Sequence, residues 1–70
     1  MPKPIKLSIV LKTLKKKGFI LKSHRGSHAK YRKGNKTAVV KTTKKEIPYG
    51  TFASILVQSG LEESDFRNIN

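Results

Sequence analysis

Residues 28–41 read HAKYRKGNKTAVVK, and this stretch decides the fold because it contains two strand patterns separated by a turn. The turn is Gly34-Asn35, a pair typical of the primed two-residue turns that connect antiparallel strands. A turn of this length also fixes which residues of the two strands face each other. The stretch therefore predicts a β-hairpin with strands at 28–33 and 36–42.

The two faces of this hairpin differ in character, because successive side chains along a strand point to opposite sides. One face, which we expect to lie in the core, carries Ala29, Tyr31, Ala38 and Val40. The other face, polar and mostly cationic, carries His28, Lys30, Arg32, Thr37, Val39 and Lys41. His28 is therefore predicted to lie on the cationic side, and the Tyr31 ring to pack in the core rather than stack on a base.

A further strand is predicted upstream, over residues 19–25, joined to the hairpin by Gly26-Ser27. A strict two-residue loop would turn His24 toward the core and Phe19 away from it, which is physically unattractive. We therefore expect a three-residue loop or a bulge at this turn that returns Phe19 and Leu21 to the core.

Helical patterns flank the strands. After an extended lead-in over residues 1–6, a first helix is predicted from apolar residues at the spacing of one helix face: Leu7, Val10, Leu11 and Leu14. Ser8 is its predicted N-cap and Gly18 its C-terminal stop.

The second helix is predicted over residues 51–59, with Gly60 as its stop. It contains no charged residue, so we expect it to be buried. After a basic loop at 42–49 and this helix, acidic residues from Glu62 begin a short final helical turn, where Phe66 can pack back onto the core.

The resulting order is αβββα. It predicts an α+β fold in which two helices cover one face of a three-stranded antiparallel sheet, with a short C-terminal helical segment. Seventy residues suggest a single domain spanning 1–70. The longest apolar runs are three residues, too short for a membrane span or a signal-peptide core, so we expect a cytoplasmic protein with no membrane partner.

The charge is strongly positive and unevenly distributed. The formal net charge is +12, and of the 16 Lys and Arg residues all but Arg67 lie in residues 1–61, where Glu46 is the one acid. Such a balance indicates affinity for nucleic acid or for an acidic protein that competes with it. There is no cysteine, and two histidines with four carboxylates make a metal site unpersuasive, so no metal or other cofactor is expected.

His28 is the candidate for proton transfer, because an unperturbed imidazole has a pKa of about 6.5. A ribonuclease without a metal needs a base for the 2′-hydroxyl, an acid for the leaving oxygen and cations for the phosphate. The cations expected to bind RNA are Lys22, Arg25, Lys30, Arg32 and Lys41. The acid stays open among His24, water and a lysine. A plainer interpretation is that His28 is merely solvated or contacts a phosphate.

Three segments resemble the HicA family of toxins, and the resemblance covers residues 5–66. They are residues 14–19 (LKKKGF), the turn Gly26-Ser27-His28 with Tyr31 after it, and residues 45–51 (KEIPYGT) leading into the second helix. Family members often carry a second histidine after the signature one, where Ala29 stands here. Many have a proline and a histidine after the third strand, where this chain has residues 41–43 (KTT).

The resemblance implies a double-stranded-RNA-binding-like fold and a toxin of a toxin–antitoxin pair that cleaves mRNA through His28 without a metal ion. It also implies a HicB-type antitoxin, which the charge of this chain predicts to be acidic. The free toxin is expected to be a monomer and the complex a hetero-oligomer. The alternative is a non-catalytic RNA-binding module of the same fold. Against it, the second helix lacks the lysines with which such modules usually grip a duplex.

Overall fold

The computed structural model describes residues 4–67, so the first part of the predicted lead-in, residues 1–3, lies outside the described residues. The elements in chain order are β1 (Ile5–Lys6), α1 (Leu7–Lys16), β2 (Ile20–Arg25), β3 (His28–Lys33), β4 (Lys36–Lys41), β5 (Glu46–Ile47), α2 (Tyr49–Ser59) and α3 (Glu63–Arg67). The predicted αβββα order with a short C-terminal helix is confirmed, and two short strands are added to it.

The central sheet is antiparallel and has the order β2-β3-β4, so β2 and β4 are its edges. The hairpin register is the predicted one, with Tyr31 opposite Ala38 and Ala29 opposite Val40. All four of these residues are buried. On the edge strand β4, the Val39 N–H donates to the Gln58 side chain of α2 at 2.9 Å.

The expected irregularity in β2 is present, but it lies at Lys22 and not at the turn. Leu21 pairs with Tyr31 and Ser23 with Lys30, so Lys22 is the extra residue of a bulge. The bulge shifts the alternation by one residue and leaves Phe19 buried, with 3% of its surface exposed. Leu21 shares the face of Tyr31 but is 45% exposed, so the expectation of a buried Leu21 was wrong.

Helix α1 starts one residue before the predicted cap. Lys6 is its N-cap and makes no side-chain capping bond, so the prediction of Ser8 was wrong. The predicted stop is confirmed, because Gly18 has φ 96 and its N–H donates to Lys15 O at 3.1 Å. The Phe19 N–H reaches back to Leu14 O at 2.9 Å, which completes a Schellman motif and directs the chain into β2.

Helix α2 begins at Tyr49, two residues earlier than predicted, directly after Pro48. Its buried residues are Phe52, Ile55 and Ser59, whereas Val57 is 83% exposed. The uncharged sequence of α2 therefore does not mean burial all round, because one side of the helix faces solvent.

Helix α3 packs back onto α2 as expected. The Phe66 ring meets the Phe52 ring edge-on, with centroids 5.1 Å apart, and both residues are essentially unexposed. The Lys17 ammonium lies 3.2 Å from the Asp65 carboxylate, which joins the end of α1 to α3.

The strands β1 and β5 were not predicted. They pair Ile5 with Ile47 and Lys6 with Glu46, and the Leu7 N–H donates to Lys45 O at 2.7 Å. Each strand has two residues, too short for any alternation to show in the sequence. No helix within residues 4–67 has the length and apolarity required to cross a membrane.

Candidate functional site

The turn before His28 is a tight two-residue loop, Gly26-Ser27, which pairs Arg25 directly with His28. Gly26 has φ 55, a left-handed value that residues with a side chain rarely adopt, and the φ of Ser27 is not positive. This combination is typical of a type II′ turn, whose twist suits a hairpin. The turn therefore places His28 at the start of the central strand.

The sheet surface opposite the helices, which we call the outer face, consists of three rows of side chains across β2, β3 and β4. In row order its members are Arg25, His28 and Lys41, then Ser23, Lys30 and Val39, then Ile20, Arg32 and Thr37. Four of these nine residues are cations and none is acidic. The outer face is thus the predicted cationic face, extended by β2.

His28 is exposed and lies in the middle of the first row. Arg25 is its partner on one side and Lys41 its partner on the other. Side chains at paired positions stand about 4.5–5.5 Å apart at their Cβ atoms, so both cations reach a group bound at the imidazole. Together with Ser23, Lys30 and Val39 of the second row, Arg25 and His28 line a shallow depression.

The remaining predicted RNA-binding residues lie farther from His28. Arg32 is four residues along β3, about 13 Å away at the usual rise per residue. Its Nε donates to Gly34 O at 2.9 Å, which ties the side chain to the next turn. Lys22 is exposed at the bulge. The structure therefore brings Arg25, Lys30 and Lys41 together around His28 and leaves Arg32 and Lys22 at the margin.

The second histidine lies on the opposite side of the sheet. His24 pairs with Ala29, a core-facing residue, so its side chain points to the helix side of the sheet. It is exposed, and its Nε2 lies 3.2 Å from Thr42 Oγ1. The side chains of His24 and His28 therefore lie on opposite faces of the sheet.

Tyr31 is buried beneath the outer face, with 3% of its surface exposed. Burial raises the pKa of its phenol, because desolvation disfavours the charged form. Its predicted place in the core is confirmed, so its ring does not offer a stacking surface for a base.

Thr42 is the residue at which the predicted third strand ends and the predicted basic loop begins. It continues the pairing of β4 by one residue, because its N–H donates to Ser27 O at 2.6 Å. Its hydroxyl donates to the same carbonyl at 3.2 Å. The sequence feature that could have indicated this contact is the position of Thr42 at the end of the predicted strand.

Metal ligands do not gather anywhere in the described part of the chain. Across residues 4–67, no group of three His, Cys, Asp or Glu side chains lies close enough together to hold an ion. A larger apolar groove exists away from His28, between α1 and β5, and its lining includes Leu7, Leu11, Pro48 and Tyr49.

Comparison with known protein families gives a match over most of the chain. The sequence profile described as "HicA toxin of bacterial toxin-antitoxin" matches residues 8–61. The matched segment runs from the first turn of α1 to the residue after Gly60 and includes the whole outer face. No curated protein matches the chain significantly.

Proposed function

The chain belongs to the HicA family of toxins from bacterial toxin–antitoxin systems, and from this premise we propose that it is an endoribonuclease that cleaves mRNA without a metal ion and so blocks translation. His28 is the proposed catalytic residue. Arg25, Lys30 and Lys41 are proposed to hold the RNA near it, and Arg32 and Lys22 to extend the binding surface.

The proposed reaction uses groups that the outer face already contains. His28 takes the proton of the 2′-hydroxyl, the 2′-oxygen attacks the neighbouring phosphorus, and the bond from phosphorus to the 5′-oxygen breaks. The products are a 2′,3′-cyclic phosphate and a 5′-hydroxyl, whose proton comes from water or a lysine. Arg25 and Lys41 stabilise the charge that builds on the phosphate oxygens.

The observation that carries this proposal is the first row of the outer face. His28 is exposed, stands between two cations and has no acidic neighbour among the nine residues of that face. A shallow depression on an open sheet suits an extended polymer better than a small molecule, which would need a concave pocket. RNA supplies the polymer, the 2′-hydroxyl and the negative charge.

Family membership also implies an antitoxin partner. We propose that this is a HicB-type acidic protein that covers the outer face and excludes RNA from His28. The free toxin is proposed to be a monomer, which forms a hetero-oligomer with the antitoxin. The net charge of +12 on this chain attracts an acidic partner electrostatically.

The test is an RNA cleavage assay with purified full-length chain, with and without a chelator. We expect cleavage in both conditions and a loss of about 10²–10⁴-fold in His28→Ala, the usual contribution of one general acid–base group. Lys12→Ala is the matched control, since Lys12 is an exposed cation on α1, away from the outer face. Circular dichroism checks that every variant is folded.

Three outcomes of this assay would contradict the ribonuclease proposal or a part of it. Cleavage that a chelator abolishes would remove the metal-free mechanism. Tight binding to duplex RNA without cleavage of single strands would favour a non-catalytic RNA-binding module. If folded His28→Ala cleaves RNA as fast as the native chain, the role of His28 is wrong.

A further inference from the structure

The carbonyl immediately before His28 is held from β4. The Thr42 N–H donates to Ser27 O at 2.6 Å, and the Thr42 hydroxyl donates to the same oxygen at 3.2 Å. The turn is held on the β2 side by the pairing of Arg25 with His28. On the β4 side it is held by the two hydrogen bonds from Thr42 to Ser27 O.

The hydroxyl of Thr42 is itself oriented by His24. A carbonyl oxygen can only accept, so the hydroxyl hydrogen points to Ser27 O. The hydroxyl oxygen then accepts from His24 Nε2, 3.2 Å away, in the tautomer that carries its hydrogen on Nε2. The order of donation is therefore from His24 to Thr42 to Ser27, and it runs along the side of the sheet opposite to the imidazole of His28.

We propose that Thr42 is a positioning residue for His28, oriented in turn by His24; this rests on the proposed catalytic role of His28. The Ser27 carbonyl belongs to the peptide that carries the His28 nitrogen, so its direction sets the direction of the His28 side chain. Reacting groups must be held within about 0.5 Å, and a misplacement of about 1 Å can cost 10²-fold in rate.

The partial burial of Thr42 fits this role. Its hydroxyl is half-shielded, whereas the contact with His24 is exposed and contributes little to stability. Removing the hydroxyl leaves the short backbone bond at 2.6 Å in place, so the sheet still forms. We therefore expect a variant without this hydroxyl to fold but to hold the turn less precisely.

The experiment compares Thr42→Val, which removes the hydroxyl at nearly constant volume, with Thr42→Ser, which keeps it. Thr43→Val is the matched control, because Thr43 is the exposed neighbour. We expect Thr42→Val to lower kcat on RNA by about 10- to 100-fold with KM nearly unchanged, since the cations remain. Thr42→Ser should restore kcat, and Thr43→Val should leave it unchanged.

A second readout does not depend on catalysis. The NMR signals of the His28 ring should shift or broaden in Thr42→Val and return in Thr42→Ser. If the native chain does not cleave RNA, the proposed function fails, and these signals still decide whether Thr42 positions His28. Unchanged ring signals in folded Thr42→Val would overturn the positioning role, and so would an unchanged kcat in a native chain that cleaves.

The His24→Ala variant tests the order of the contacts. If His24 acts through Thr42, its loss lowers kcat in the native chain and adds nothing in the Thr42→Val background. An equal loss in both backgrounds would show that His24 acts independently and would contradict its place in this series.

Discussion

Thr13 is a fully buried polar residue of α1, between Val10 and Leu14 in the core-facing part of the helix. Its hydroxyl has no hydrogen-bond partner within residues 4–67. A buried hydroxyl without a partner has lost its water and gained nothing in return, which costs about 1–3 kcal/mol. Thr13 therefore weakens a domain of a size at which one core rarely supplies more than about 3–5 kcal/mol.

Replacing Thr13 with valine should stabilise the fold. Thr13→Val keeps the branched shape and removes the hydroxyl, so we expect the free energy of unfolding to rise by about 1 kcal/mol in urea denaturation. Thr13→Ala serves as the comparison, because it removes the hydroxyl but leaves a cavity. A decrease in stability for Thr13→Val would mean that the hydroxyl is satisfied in solution.

At the residue scale, the predictions that held are those fixed by alternation about the Gly34-Asn35 turn. That turn set the faces of His28 and Tyr31 without any knowledge of the rest of the chain. His24 was harder, because its contact with Thr42 joins residues 18 positions apart. Alternation assigns a side chain to a face, but a cross-strand hydrogen bond at the end of a sheet depends on three-dimensional geometry.

At the element scale, two carboxylates join α3 to the other helices. Glu63 accepts from the Tyr49 hydroxyl at 3.1 Å and from Arg67 at 2.9 Å. Asp65 accepts from the Glu62 N–H at 2.9 Å and lies near the Lys17 ammonium. The hydrogen bond from Arg67, followed by that from Tyr49, lowers the pKa of Glu63. The Glu62 N–H, followed by Lys17, lowers the pKa of Asp65.

These lowered pKa values predict a loss of stability in acid. Carboxylates titrate at about pH 4 in unfolded chains, so the contribution of both groups is fully present above about pH 5 and is lost as the pH falls through their native pKa values. The double variant Glu63→Gln/Asp65→Asn should melt below the native chain at pH 7, and the two melting temperatures should converge near pH 2. A gap that persists unchanged in acid would contradict this linkage.

The elements that the sequence predicted well have long, regular patterns or strong end signals. The spacing of Leu7 to Leu14 and the position of Gly18 predicted α1 and its end, although its N-cap is Lys6, two residues before the predicted Ser8. The pair β1–β5 escaped prediction because its stability comes from the contact of Ile5 with Ile47, far apart in sequence. An irregularity at the turn after β2 was expected from the need to bury Phe19 and Leu21. The bulge lies instead at Lys22, because its position depends on local pairing that composition does not encode.

At the scale of the whole molecule, the acidic residues lie off the outer face, whereas cations lie both on it and elsewhere. The outer face has cations and no acid, whereas Glu63 and Asp65 lie on α3. No carboxylate of the outer face offsets its four cations, so we expect this face to attract polyanions. The same face is available to the proposed acidic antitoxin.

Binding of the cognate antitoxin should weaken as salt rises, because the Debye length shortens from about 10 Å at 0.1 M to about 3 Å at 1 M. Lys30→Glu should weaken binding more than tenfold by placing a like charge in the interface, whereas Lys12→Glu, of equal charge change on α1, should have a smaller effect. Calorimetric titration measures both. An affinity that is flat with salt and equal for the two variants would place the antitoxin elsewhere.

The hydrogen bond from Val39 to Gln58 affects whether copies of this protein can aggregate through the edge of the sheet. An edge strand with free backbone groups is a template on which another chain can add a strand and begin an aggregate. The side chain of Gln58, on α2, accepts a hydrogen bond from Val39 in the middle of β4. On the opposite edge strand, β2, the bulge at Lys22 interrupts the regular row of backbone donors and acceptors. Both borders of the sheet are thus unsuited to continuous growth into fibrils.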